Sequence, residues 1–184
     1  DEIAQRPFGG ASKKRTCYSS DMTGHAIVHT LADHIISRPN IRFQSDYYLL
    51  DLIKKEDAII GAHFLDNSSG EEIAVFAKST ILATGGYSGI FINHTTNASA
   101  TTGDGILAAH RVGAQLRDME FVQFHPTTLE KNSFLMSEAA RGAGAYLRND
   151  AGERFVDELA TRDQVAKAIY QEQQKGSKTY LDMR

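Results

Sequence analysis

Apolar residues recur at intervals of three and four between positions 21 and 37. Ile27, Val28, Leu31, Ile35 and Ile36 there share one side of a helix. Asp21 or Thr23 is placed to cap its start, and Pro39 with Asn40 closes it. A series of strands follows. Residues 41–44, 47–53, 58–65 and 72–77 are short runs of β-branched and aromatic residues, separated by polar turns at Glu56-Asp57 and residues 67–70. They predict an antiparallel meander. Residues 79–83 read as a short apolar strand running into Thr84-Gly85-Gly86. A helix over 104–112 opens from the turn Thr102-Gly103-Asp104-Gly105. A last helix covers 162–174, with Val165, Ala168 and Ile169 as its apolar stripe and Gly176 as its end. Residues 142–154 are rich in Gly, Arg and Asn, and a domain boundary is placed before that shift, near Leu135.

Composition narrows the classes. Of 184 residues, 41% are hydrophobic, enough for a core, which argues against wholesale disorder. Twenty basic against 23 acidic side chains give a net charge of -3, which excludes a strongly basic nucleic-acid module. No apolar run approaches the length of a membrane span. Cys17 stands alone, so no intrachain disulfide forms, and no zinc pattern, nucleophile elbow or Walker loop is present. Residues 1–5 read like the middle of a domain, and residues 179–184 like a strand that stops as it begins. The expectation is an internal segment of a longer protein.

Four sets of residues can carry chemistry, and each has a plain structural reading beside it. The apolar strand ending in Thr84-Gly85-Gly86 lets a bulky ligand approach the backbone, or is simply a turn. The Thr102-Gly103-Asp104-Gly105 turn offers backbone N–H groups to an anion, or Asp104 caps the helix. In Gln123-Phe124-His125-Pro126-Thr127, Pro126 restricts His125 and gives its imidazole a direction. That ring can bind a carboxylate or move a proton, or sit buried against a carbonyl. In the set Ser137, Glu138, Arg141 and Arg162, Glu138 and Arg141 are three apart and share a helix face. Arg162 opens a helix, where the dipole disfavours a cation unless a carboxylate or anionic substrate offsets it. A surface ion pair is the alternative. His34, His94 and His110 read as surface or packing residues.

Taken together, these pieces resemble the flavoprotein subunits of succinate dehydrogenase and fumarate reductase, with the related soluble fumarate reductases and L-aspartate oxidases. The resemblance starts at Gln5-Arg6-Pro7-Phe8-Gly9-Gly10 and continues through Asp21-Met22-Thr23-Gly24-His25, Ile81-Leu82-Ala83-Thr84-Gly85-Gly86 and Thr95-Thr96-Asn97. It then takes in Thr102-Gly103-Asp104-Gly105, the run from Asp118-Met119-Glu120 to Pro126-Thr127, Ser137-Glu138 with Arg141-Gly142, and Thr161-Arg162-Asp163. Each piece is weak alone; their order and spacing make the match specific.

The resemblance implies an α/β fold: part of an FAD-binding doubly wound domain with a β-meander over 1–135, followed by the start of an α+β capping domain over 136–184. It implies FAD as cofactor, no metal site in this chain, and a four-carbon dicarboxylate as substrate. In the family, hydride passes between flavin N5 and one central carbon, and a proton passes at its neighbour. Arg162 matches the proton donor or acceptor, and Glu138 and Arg141 match the relay that recharges it. His125 and Ser137 match groups that hold a substrate carboxylate; many members have threonine in place of Ser137. Gln123 and Thr127 line the same pocket, and Thr84, Gly85, Gly86 and Asp104 match flavin contacts. An arginine is a poor acid in water, but it donates when charge develops beside it and a carboxylate replaces the proton. The family's G-x-G-x-x-G loop does not occur in this sequence, so the segment alone is expected to be inactive. Many relatives read Arg-Gly-Glu-Gly where Arg141-Gly142-Ala143-Gly144 stands, so Ala143 leaves no carboxylate for an auxiliary acid.

Within the family, residues 5–17 and Leu116-Arg117-Asp118-Met119-Glu120 lean towards the respiratory enzymes. Such a flavoprotein docks on an iron–sulfur protein and a membrane anchor, and is cytoplasmic or peripheral on the inner membrane. The short link from Phe155 to Arg162 leans towards soluble fumarate reductase or L-aspartate oxidase, which oxidises L-aspartate to iminoaspartate in NAD biosynthesis. A third reading is a non-catalytic flavin-binding or interaction module. It predicts loss of the relay residues, and all three are present.

Overall fold

A computed structural model describes residues 3–184, so the expectation for residues 1–5 falls partly outside the described residues. The chain mixes helices and strands in the order β1 (Gln5–Arg6), β2 (Thr16–Cys17), α1 (Thr23–Ile36), β3 (Tyr47–Lys55), β4 (Ala58–Asp66) and β5 (Glu72–Phe76). Then come α2 (Asp104–Arg111), α3 (Glu138–Gly142), β6 (Tyr146–Asn149), α4 (Arg162–Gln174) and β7 (Thr179–Asp182), with one 3-10 turn at Ser88–Ile90. The described residues form two compact units. One holds the chain up to His34 together with Gln123–Arg184; the other is Ile35–Val122.

The second unit contains the meander. Strands β3, β4 and β5 are antiparallel neighbours, with Lys55 opposite Ala58 across the Glu56-Asp57 turn. The β4–β5 connection is fixed by Asp66, whose carboxylate accepts the Ser68 N–H at 2.8 Å. Gly70 completes it at a φ of 76°, a conformation that suits glycine. Gly61 faces Val75 and Phe76 so closely that a methyl group would overlap the Val75 carbonyl. Helix α2 packs on β3. Ala108 of α2 (1% exposed) and Ala62 of β4 are the buried apolar side chains of this unit.

In the first unit, β6 and β7 pair antiparallel, with Leu147 opposite Leu181. Leu147 and Val165 are its most buried apolar side chains. The predicted helix over 162–174 is α4, and Gly176 follows it at a φ of 82°.

Several expectations change. Residues 41–44 and 79–83 are not strands, because no segment among the described residues pairs with either. All the paired strands are antiparallel, so the sheets described here include no parallel, doubly wound one. Thr23 opens α1, but its hydroxyl accepts the Ser19 N–H at 3.1 Å rather than one from the helix. The apolar stripe of α1 forms without burial: Ile27, Val28, Leu31 and Ile36 are all more than half exposed.

Candidate active site

Ser137 caps α3 by accepting the Ala139 N–H on its hydroxyl oxygen at 3.2 Å. One helical turn then brings Glu138 and Arg141 to the same inward face, where they are 4% and 1% exposed. The turn lies tight against the segment at Pro7: a methyl group on Gly142 would sit 2.9 Å from the Pro7 carbonyl oxygen.

Arg162, the first residue of α4, closes on Glu138. Its Nε donates to Oε2 at 2.9 Å and its Nη2 lies 2.8 Å from the same oxygen. Its Nη1 donates to Oε1 of Gln123 at 2.8 Å. The other carboxylate oxygen, Oε1, accepts the Gly9 N–H at 2.9 Å and lies 3.8 Å from Arg141 Nη2. Glu138 therefore sits between two guanidinium groups, one fully buried and one 38% exposed. This is not the surface pair that spacing alone allows.

Arg141 is held from behind. Its Nη1 donates to the Glu158 carbonyl at 2.7 Å, whereas Nε and Nη2 have no hydrogen-bond partner. Burial pushes Arg141 below the ordinary arginine range; Glu138 opposes that shift and Arg162 adds to it. The Glu158 carboxylate, itself 3% exposed, accepts the Leu147 N–H at 2.8 Å and binds Arg154 through Nε at 3.0 Å and Nη2 at 2.6 Å. Burial, the largest single influence, pushes Glu158 up, but the Arg154 hydrogen bonds, the Leu147 amide and the Arg154 charge together outweigh it and hold the carboxylate below its ordinary value.

His125 stands over the same unit. Its Nδ1 lies 3.0 Å from the Thr127 carbonyl oxygen and 3.3 Å from the Thr127 amide nitrogen. The Thr127 carbonyl already accepts the Met136 N–H at 3.0 Å. That carbonyl has a second lone pair, so Nδ1–H can donate to it across the shorter of the two contacts. Burial lowers the His125 pKa below its ordinary value, the Thr127 hydrogen bond opposes this, and the charges of Arg141 and Arg162 lower it further. Thr127 is buried, and its hydroxyl donates to the Met136 carbonyl at 3.1 Å.

The other predicted set lies in the second unit. A cleft of about 460 Å³ is lined by Thr84, Thr102, Gly103, Asp104 and Gly105, with an apolar wall that includes Leu82. Thr84 and Asp104 thus share one cleft, while Gly85 and Gly86 are not among its lining residues. Asp104 does not cap α2, because Gly103 occupies the cap position at a φ of 84°. Asp104 instead accepts the Thr102 hydroxyl at 2.5 Å. That bond, and a second from Tyr48, hold its carboxyl below the ordinary range. A methyl group on Gly105 would overlap the Thr84 side chain, so the two close on each other only because position 105 is glycine.

Sequence reasoning gave no role to Gly9, Glu158 or Tyr48. Gly9 was visible only as part of a motif. Glu158 and Arg154 have i,i+4 spacing, a usable signal, but the segment between them is not helical.

The family described as FAD binding domain matches residues 1–184. An uncharacterised FAD-dependent oxidoreductase of Methanocaldococcus jannaschii is 45% identical, over 98% of this chain and 35% of its own length. A fumarate reductase (CoM/CoB) of Methanothermobacter marburgensis is 41% identical in one of its subunits, over 98% of this chain and 36% of that relative. An L-aspartate oxidase of Clostridium acetobutylicum is 41% identical, over 94% of this chain and 40% of its own. Among solved structures, a quinol-fumarate reductase with menaquinol molecules superposes with a TM-score of 0.90 at 32% identity, over 97% of this chain and 35% of that one. The chain thus spans little more than a third of the length of the curated relatives it matches.

Proposed function

The chain belongs to the FAD-binding domain family, and from that premise we propose that it is part of the flavoprotein subunit of a fumarate reductase or succinate dehydrogenase. In this reading residues 1–135 belong to the doubly wound flavin domain and 136–184 open the capping domain. The carrying observation is the Glu138 carboxylate, shared by Arg162 at 2.8 Å and the Gly9 amide at 2.9 Å, with Arg141 buried behind it.

The cleft residues fit FAD. Leu82 offers an apolar wall to a flat ring, Thr84 and Thr102 offer hydroxyls, and Asp104 offers a carboxylate held in its ionised form. Gly85 and Gly86 belong to the same reading as positions where backbone approaches the ligand. When bound, FAD supplies hydride exchange with the substrate. The protein's own groups do the rest. The Ser137 hydroxyl, whose oxygen already accepts from Ala139, has a hydrogen to give a substrate carboxylate, and so does His125 Nε2 when a dianionic substrate favours the imidazolium form. Thr127 acts through His125, fixing its ring.

Arg162 handles the proton. Of its five N–H groups, the bonds to Glu138 and Gln123 engage one on Nε, one on Nη2 and one on Nη1. One N–H on each Nη is left for a dicarboxylate carbon. As that hydrogen leaves, the Glu138 carboxylate takes a proton from Arg141, whose burial already weakens its hold on it, and passes it to Arg162. A non-catalytic module has no need of a buried carboxylate between two cations.

An iron–sulfur partner and a membrane anchor belong to this reading, which places the protein in the cytoplasm or peripherally on the inner membrane. Support comes from the likeness to a quinol-fumarate reductase. Among the described residues no helix is long and apolar enough to cross a membrane. The alternative is L-aspartate oxidase, favoured by the 41% identity to such an enzyme. Assays of the full-length protein with fumarate, succinate and L-aspartate separate the two. Turnover of the first pair is expected; oxidation of L-aspartate without succinate turnover overturns the proposal.

A further inference from the structure

Two glycines in succession, Gly9 and Gly10, lie beside the charged cluster, and they are glycine for different reasons. Gly10 has a φ of 73°, so its backbone conformation calls for glycine. Gly9 is not among the residues with positive φ, so nothing in its backbone conformation excludes a side chain. What excludes one is space. A methyl group on Gly9 would lie 2.5 Å from Glu138 Oε1 and 3.1 Å from the Ala160 carbonyl oxygen. The first distance is far below van der Waals contact. The second bars retreat towards backbone that is itself anchored, since Leu159 accepts the Gly10 N–H at 2.8 Å.

We infer that Gly9 is a positioning residue of the proton relay: its amide fixes the inner oxygen of Glu138, and its missing side chain is what allows the carboxylate to lie between Arg162 and Arg141. The amide is the donor within hydrogen-bond distance of Oε1, at 2.9 Å, while Arg141 Nη2 stands off at 3.8 Å. Without that donor the oxygen is free to close on Arg141 and draw the carboxylate off Arg162. A side chain at position 9 forces the same displacement sterically. Either way, proton return to Arg162 slows without a change in the groups that hold the substrate.

The inference rests on the dicarboxylate reading, so the test begins with the full-length parent enzyme. If the parent turns over no dicarboxylate, that reading fails on its own account. With an active parent, Gly9→Ala is expected to lower kcat about 10- to 100-fold, leave KM within about twofold, and retain the flavin. It is also expected to enlarge the solvent deuterium isotope effect on kcat, because proton delivery becomes more rate-limiting. Gly10→Ala, which strains the same loop without touching Glu138, lowers the melting temperature and leaves the isotope effect at its parental value. In a Glu138→Gln background, Gly9→Ala causes little further loss. If Gly9→Ala does not fold in the parent, adding it to a Glu138→Ala variant is expected to leave the melting temperature of that variant nearly unchanged, because the overlapping carboxylate is gone. Parental kcat and isotope effect in Gly9→Ala, an undiminished loss in the Glu138→Gln background, or a double variant that melts well below Glu138→Ala alone would each overturn the inference.

Discussion

The Arg162–Glu138 and Arg111–Asp51 pairs use the same two chemical groups at similar distances, 2.8 and 3.1 Å, in surroundings that differ in almost every other respect. Asp51 and Arg111 are 48% and 53% exposed, so water screens their attraction and competes for their hydrogen bonds. Glu138 is 4% exposed. Its charge has been taken out of water, and it is tolerated because an amide and two guanidinium groups surround it. The same contrast runs through the two units. The first gathers charge at a buried point. The second makes its cleft from threonines, glycines and an apolar wall, with Asp104 as the lining carboxylate. A buried carboxylate between cations suits proton traffic; small residues and backbone suit a large ligand.

The difference can be sharpened by substitution in the full-length protein. Glu138→Gln is expected to have the largest effect. It removes the negative charge between two cations, lowering kcat for fumarate by about 10²- to 10³-fold and stability by about 3 kcal/mol. Steady-state rates and denaturant melts read both. Gly105→Ala comes next. The new methyl group displaces the Thr84 side chain in the cleft, and flavin affinity falls about tenfold, or 1.4 kcal/mol, measured by titration of the apoprotein; kcat of the fully loaded enzyme changes far less. His125→Asn is a smaller effect with a defined pH window. The folded-state pKa of His125 is depressed, so its contribution to stability is present above the ordinary histidine value of about 6.5 and is lost as pH falls below it. The variant lacks that loss, so its melting temperature falls less than the parent's between about pH 6.5 and 5. Arg111→Ala, at the exposed pair, is expected to cost less than about 1 kcal/mol, and less still in high salt.

The helix α4, the meander and its two turns were legible because each is set by local periodicity and turn chemistry. Glu138 and Arg141 were legible as a pair because three-residue spacing on one helical turn determines a shared face. Residues 79–83 show where such reasoning stops. An apolar run states a preference for extended backbone, but a strand also needs a neighbour, and no run reveals its own partner. The stripe of α1 likewise says which side of the helix is apolar and not what covers it. Gly9 was least legible. Its partner Glu138 lies 129 positions along the chain, and what matters about Gly9 is a missing atom. Asp104 shows the same limit at short range: the sequence allowed it to cap α2, and the backbone of Gly103 takes that place.

The central claim is that Arg162, held by Glu138, moves the proton and does not serve to hold the flavin. The direct measurement is the flavin content and fumarate turnover of the full-length Arg162→Ala variant, determined on the same sample as the parent. The expected result is parental flavin content with dicarboxylate turnover abolished. Near-parental turnover in that flavin-loaded variant would contradict the claim.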